Sequence, residues 1–172
     1  MADTERMTDL VGRLAVYPSE VIKPVPPFVF AVPRGWVLDE APDAMAVIRT
    51  PEEVEGFWPN LVLTHDKVAR ATDLEQAAKV TWAKLKQQCP DADIDMQKLV
   101  KFNGLPMYLR GCTMSAPQSG RKLAQLHALF LAPLTGKGRT MDLFQFTGTC
   151  PDDQTDQAAP VFLDAISSFR FT

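Results

Sequence analysis

The chain has 172 residues, 46% of them hydrophobic and 23% charged, with a formal net charge of −3. That length suits one domain, and the composition excludes a disordered or collagen-like chain. No apolar run reaches the roughly 18 residues of a membrane-spanning helix, and an acidic chain with scattered bases is a poor nucleic-acid binder.

The charge is uneven. Residues 1–60 carry ten acids and five bases, 61–150 seven acids and twelve bases, and 151–172 four acids and one base. Cys89, Cys112 and Cys150 are an odd three with no CxxC spacing, so neither a disulfide framework nor a zinc site is expected. The start of the sequence lacks the basic opening and apolar core of a signal peptide, so the expected location is the cytoplasm.

In chain order, Met7, Leu10, Val11 and Leu14 have helical spacing and predict a short N-terminal helix or arm. Pro24, Pro26 and Pro27 then predict an extended linker, because proline fixes φ and removes a donor. Residues 1–27 are accordingly read as arm and linker, and 28–172 as a single domain. Phe28–Val32, Trp36–Leu38, Met45–Thr50 and 57–65 read as strands, broken at Gly35, Pro42 and the acidic stretch Pro51–Gly56. Thr72 and Glu75 have capping-box spacing and open a helix to about Gln88. Cys89-Pro90 ends it, since a residue before proline is pushed out of the α region.

Residues 94–102 alternate as a half-exposed strand. Asn103-Gly104 predicts a type I′ hairpin turn. Leu105–Ser115, Lys122–Leu134 and Met141–Thr149 follow as strands, with polar turns between them. Lys122–Leu134 has no charge beyond its first residue and is expected at the sheet centre, buried on both faces. Ala158, Phe162, Ala165, Ile166 and Phe169 form an amphipathic helix face. Phe169–Thr172 is expected to be a pendant end. Runs of strands separated from helices imply α+β: a twisted antiparallel meander with helices packed on it.

Four stretches carry a resemblance: Phe30-Ala-Val-Pro-Arg-Gly-Trp36, Trp58-Pro-Asn-Leu-Val62, Asn103-Gly-Leu-Pro106 leading to Arg110-Gly111, and Ser167-Ser-Phe-Arg-Phe171. In this order the chain resembles the PsbP-like fold superfamily, which includes the Ran-binding Mog protein, and within it the LpqN-type and DcrB-type proteins. The resemblance implies a non-catalytic binding protein, adaptor or secretion chaperone. LpqN-type proteins are usually exported lipoproteins, and this chain shows no lipobox, which favours a cytoplasmic relative.

Catalytic and metal signals are weak. His65 and His127 are the only histidines and have no HxH or HxxxH spacing, so no metal and no cofactor is expected. No serine sits in GxSxG. Asp91, Asp93 and Asp95 have the opening spacing of a calcium loop but lack its glycine and closing glutamate. Two functional readings stand. In the first, Met96, Met107, Met141, Trp58 and Arg110 line a sheet face or groove that holds an apolar segment of a partner protein or effector, with a homodimer as one arrangement. In the second, a cleft near His127, Cys112 and Arg110 serves a small ligand or an enzyme.

Overall fold

The structure, a computed structural model, describes residues 15–134 and 136–172. The helix expected around Met7–Leu14 lies outside the described residues.

Seven strands form one antiparallel sheet in the order β2-β3-β4-β8-β7-β6-β5. Their ranges are β2 Val37–Asp39, β3 Ala46–Arg49, β4 Asn60–Ala69, β5 Asp93–Phe102, β6 Leu105–Ser115, β7 Lys122–Leu131 and β8 Thr140–Pro151. Helix α1 (Leu74–Gln88) follows β4. A 3-10 turn, Asp152–Gln154, leads into helix α2 (Thr155–Ser167). Outside the large sheet, β1 (Phe28–Val29) pairs with β9 (Arg170–Phe171).

The expected meander is present as β5-β6-β7-β8. Asn103 and Gly104 take φ of 52° and 77°, the left-handed pair that a type I′ turn needs. β7 is buried along both faces, as its run of apolar residues requires, but the middle position of the sheet falls to β8. β4 pairs with β8 over all ten of its residues, from Asn60↔Thr149 to Ala69↔Thr140. The chain must therefore cross the sheet to start β5 at the far edge. Helix α1 makes that crossing over β6 and β7.

Two local expectations are corrected. The N-cap of α1 is Asp73 rather than Thr72, and the reciprocal partner is Gln76 rather than Glu75. Asp73 Oδ1 accepts from the Gln76 amide at 2.8 Å. Both frames satisfy the capping pattern in sequence. The Asp73 frame starts the helix one residue later, with Ala77 and Ala78 buried against the sheet. The C-terminus is not pendant either. Phe169 is fully buried, and Phe171 sits against Phe130 and Phe144 with ring centroids 6.3 and 5.5 Å away.

Alternation along the strands sends side chains to two faces. On one face α2 and the β1–β9 pair cover a core of Phe130, Phe144, Phe146, Phe162 and Phe169, with Met107 and Leu109. On the other face α1 covers Cys112, Met114, Leu129 and Leu143 through Ala77, Trp82 and Leu85.

Candidate functional site

Beneath α1 lies a buried polar cluster. Arg110 on β6 is directly paired with His127 on β7, and the two are 1% and 2% exposed. Arg110 Nη1 donates to the Ala78 carbonyl at 2.7 Å, and Nη2 to Thr81 Oγ1 at 3.2 Å, both on α1. Nε and Nη2 donate to His127 Nδ1 at 3.0 and 2.9 Å. The Trp82 ring lies 5.2 Å from the guanidinium carbon. His127 Nε2 then lies 2.8 Å from Gln125 Oε1, and Gln125 Nε2 donates to Thr149 Oγ1 at 3.1 Å. Burial, with the neighbouring Arg110 charge, pushes His127 down to about 3. Burial pushes the Cys112 thiol up to about 11, although Arg110 opposes the shift. Its sulfur is 4.0 Å from His127 Nε2.

This cluster fastens the helix to the sheet. A thiol so raised stays protonated near neutral pH, and a nucleophilic cysteine needs the thiolate. A histidine whose Nδ1 accepts from a cation is a poor proton carrier in the same range. The sequence-based cleft around His127, Cys112 and Arg110 is thus a closed, satisfied interior for Arg110 and His127. Only Cys112 borders a cavity.

The methionines divide. Met107 is 0% exposed and belongs to the aromatic core, and Met141, the second residue of β8, is 9% exposed. At that burial neither offers a partner more than a sliver of surface. Met96 is half-buried and borders the cavity between β5, β6 and α2. Trp58 is 42% exposed. Arg110 is buried as described, so of the five expected partner-binding residues only Trp58 is exposed.

Trp58 marks a surface that helix α1 leaves open. The α1 face of β3, β4 and β8 continues past the helix as Val47, Arg49, Asn60, Val62, Thr64, Gln145 and Thr147, all half-buried. Register confirms the face: Val47↔Val62, Arg49↔Asn60, Val62↔Thr147, Thr64↔Gln145. The Arg49 guanidinium stacks over the Trp58 ring at 4.4 Å. Arg49 is itself held by Asp39 Oδ2 at 3.3 Å and by the Thr50 carbonyl at 3.1 Å. The Asp39 carboxyl lies below its ordinary value through the Glu40 amide and Arg49. Asn60 Nδ2 donates to the Trp58 carbonyl at 2.9 Å. Arg49 thus covers the indole, Asn60 holds the backbone that carries it, and the ring remains exposed. Val47 and Arg49 are not singled out in the sequence, and Asn60 only as part of the Trp58–Val62 stretch, because the β3–β4 register is what sets them on one face.

Among the described residues, no group of three or more histidine, cysteine, aspartate or glutamate side chains could hold a metal ion. No described helix is long and apolar enough to cross a membrane.

No protein-family model matches the chain, and no curated protein matches it in sequence. Solved structures do match its fold. LpqN, described as involved in cell envelope biogenesis of Mycobacterium tuberculosis, aligns with a TM-score of 0.70 at 15% identity, over 91% of this chain and 87% of that one. Cyanobacterial PsbP from Synechocystis aligns at 0.59 and 18% identity, over 84% and 86%. The Saccharomyces cerevisiae Ran-binding protein Mog1p aligns at 0.56 and 15% identity, over 84% and 89%. The chain has the PsbP-like, Mog-type α+β fold, as the four sequence stretches implied.

Proposed function

We propose that this protein is a non-catalytic binding module that holds a segment of a partner protein on the open half-sheet of β3, β4 and β8. The observation that carries this reading is Trp58: a large aromatic ring that is exposed, stacked under Arg49, and carried on backbone that Asn60 holds. Rigid aromatic anchors of this kind dominate binding energy in protein interfaces. Val47 and Val62 extend the apolar area, and Thr64, Gln145 and Thr147 supply hydroxyl and amide groups. A partner segment with an apolar stripe and uncharged polar flanks fits such a face. Two fold relatives agree in kind: Mog1p is a Ran-binding protein and LpqN takes part in envelope biogenesis. A cytoplasmic setting suits the three buried free thiols. The role needs no second copy of the chain.

The test is affinity capture of the tagged protein from its own cells, wild type beside Trp58→Ala and Val62→Lys, with thermal melts of all three. One partner enriched by the wild type and lost from both folded variants supports the reading. The same partner retained by both variants refutes the placement, and no partner at low salt refutes the function.

A further inference from the structure

A second site lies on the opposite face of the sheet. Where β5 and β6 run past the start of α2 there is a cavity of about 170 Å³. Its walls are Met96, Ala124, Leu126, Cys150, Ala159 and Phe162. An apolar cavity of about 150 Å³ is large enough to take up benzene. Two carboxylates, Asp95 and Asp152, are among the lining residues, and no lysine or arginine is.

The position of Asp95 is built by the backbone. The β5–β6 register runs Ile94↔Cys112 and then Met96↔Gly111, which leaves Asp95 as the extra residue of a bulge. A bulge re-aims the side chain it frees. Here the carboxylate is laid over Gly111: a Cβ at position 111 would sit 2.7 Å from Asp95 Oδ1. Any side chain at position 111 would push that carboxylate aside. Asp95 and Asp152 make no side-chain hydrogen bond or ion pair among the described residues. The start of α2 carries the partial positive charge of a helix N-terminus, roughly half a unit. Asp152, Asp153 and Asp156 lie there and outweigh it.

We propose that this cavity binds a small amphiphilic organic cation, an amine on an apolar body of about benzene size. The body fills the space between Met96 and Phe162. The ammonium group sits at the mouth, between Asp95 and Asp152. This site is separate from the Trp58 face and does not depend on it.

The experiment is an amide-resolved NMR titration of the full chain with three probes of one shape: phenethylammonium, 2-phenylethanol and 3-phenylpropionate. The expected result is saturable shifts at Gly111, Thr113 and Ala159. The amine should bind about tenfold more tightly than the carboxylate, as charge of the right sign beside two carboxylates favours. Asp95→Asn should remove the preference for the amine over the alcohol while the melting temperature holds. Should that variant unfold, Asp152→Asn reads the same preference. Ala159→Leu should fill the space and abolish shifts for all three probes. Equal affinity for the three probes, a carboxylate preference, saturation elsewhere on the protein or no saturation overturns the proposal.

Discussion

Arg110 donates two hydrogen bonds to a single atom of His127: Nε at 3.0 Å and Nη2 at 2.9 Å both point to Nδ1. Nδ1 must then be an acceptor, so the imidazole is neutral and its proton sits on Nε2, donated to Gln125 Oε1. The side chain holding α1 on the sheet is thus a buried cation whose partners are a neutral ring, a hydroxyl, a carbonyl and an indole face. Charged hydrogen bonds are worth more than neutral ones, and leaving their acceptors bare in the interior is costly. Arg110→Met should destabilise the protein by about 2–4 kcal/mol, because it strands the buried His127 Nδ1 and removes the charged bonds to α1. Adding His127→Leu should recover part of the loss, since removing both polar partners is milder than removing one. Urea unfolding of the two single variants and the double variant gives the coupling directly. Additive losses would mean that the pair does not act as a unit.

The same geometry sets a pH dependence. His127 titrates near 6.5 when unfolded and near 3 when folded. Between these values the unfolded chain binds more protons, so stability rises with pH. The contribution is complete above about 6.5 and is lost as pH falls towards 3. Over the middle of that window the wild type should lose about 1.4 kcal/mol per pH unit more than His127→Gln. Denaturant midpoints at pH 6, 5 and 4 measure the difference in slope.

Gly148 on β8 lies under Phe162 of α2, and a Cβ there would meet the ring at 2.5 Å. Phe162 is 2% exposed, so the ring must shift within the interior to make room. Gly148→Ala should cost about 1–3 kcal/mol through overpacking. Phe162→Leu in the same chain should relieve part of that strain, which thermal unfolding of the pair would show as a sub-additive loss.

Phe169 lies 4.5 Å from Phe130 and 5.1 Å from Phe28 between ring centroids. It joins the last residues to the first strand and to the sheet. Phe169→Ala should cost about 3–5 kcal/mol, the range for truncating a buried phenylalanine. A loss under 1 kcal/mol in equilibrium unfolding would show that the β1–β9 pair is dispensable.

On the open face the prediction runs the other way. Trp58→Ala removes one cation–π contact at the surface, worth about 0.5–1 kcal/mol. Stability should therefore change little while partner capture is lost. A large drop in melting temperature would identify Trp58 as structural.

Local chemistry made much of the fold legible in the sequence. Alternation marked β5, Asn103-Gly104 marked its hairpin, and the uninterrupted apolar run of β7 announced burial on both faces. Each of these signals lies within a few residues of chain, where backbone φ and side-chain period act. The helix start was legible to within one residue, because Thr72 and Asp73 both offer a cap in sequence and the fold uses Asp73. The sites were much less legible. Arg110 and His127 are 17 residues apart, and Ala78 is a further 32 from Arg110. Met107 reads like any surface methionine until α2 seals it. Trp58 stood out as an aromatic, but its brace by Arg49 follows from the β3–β4 register. Composition and period therefore determined which segments are strands and helices. The pairing of β4 with β8, and the path of α1 over β6 and β7, decided which side chains are buried under a helix and which remain open, because burial depends on what the rest of the chain brings to each face.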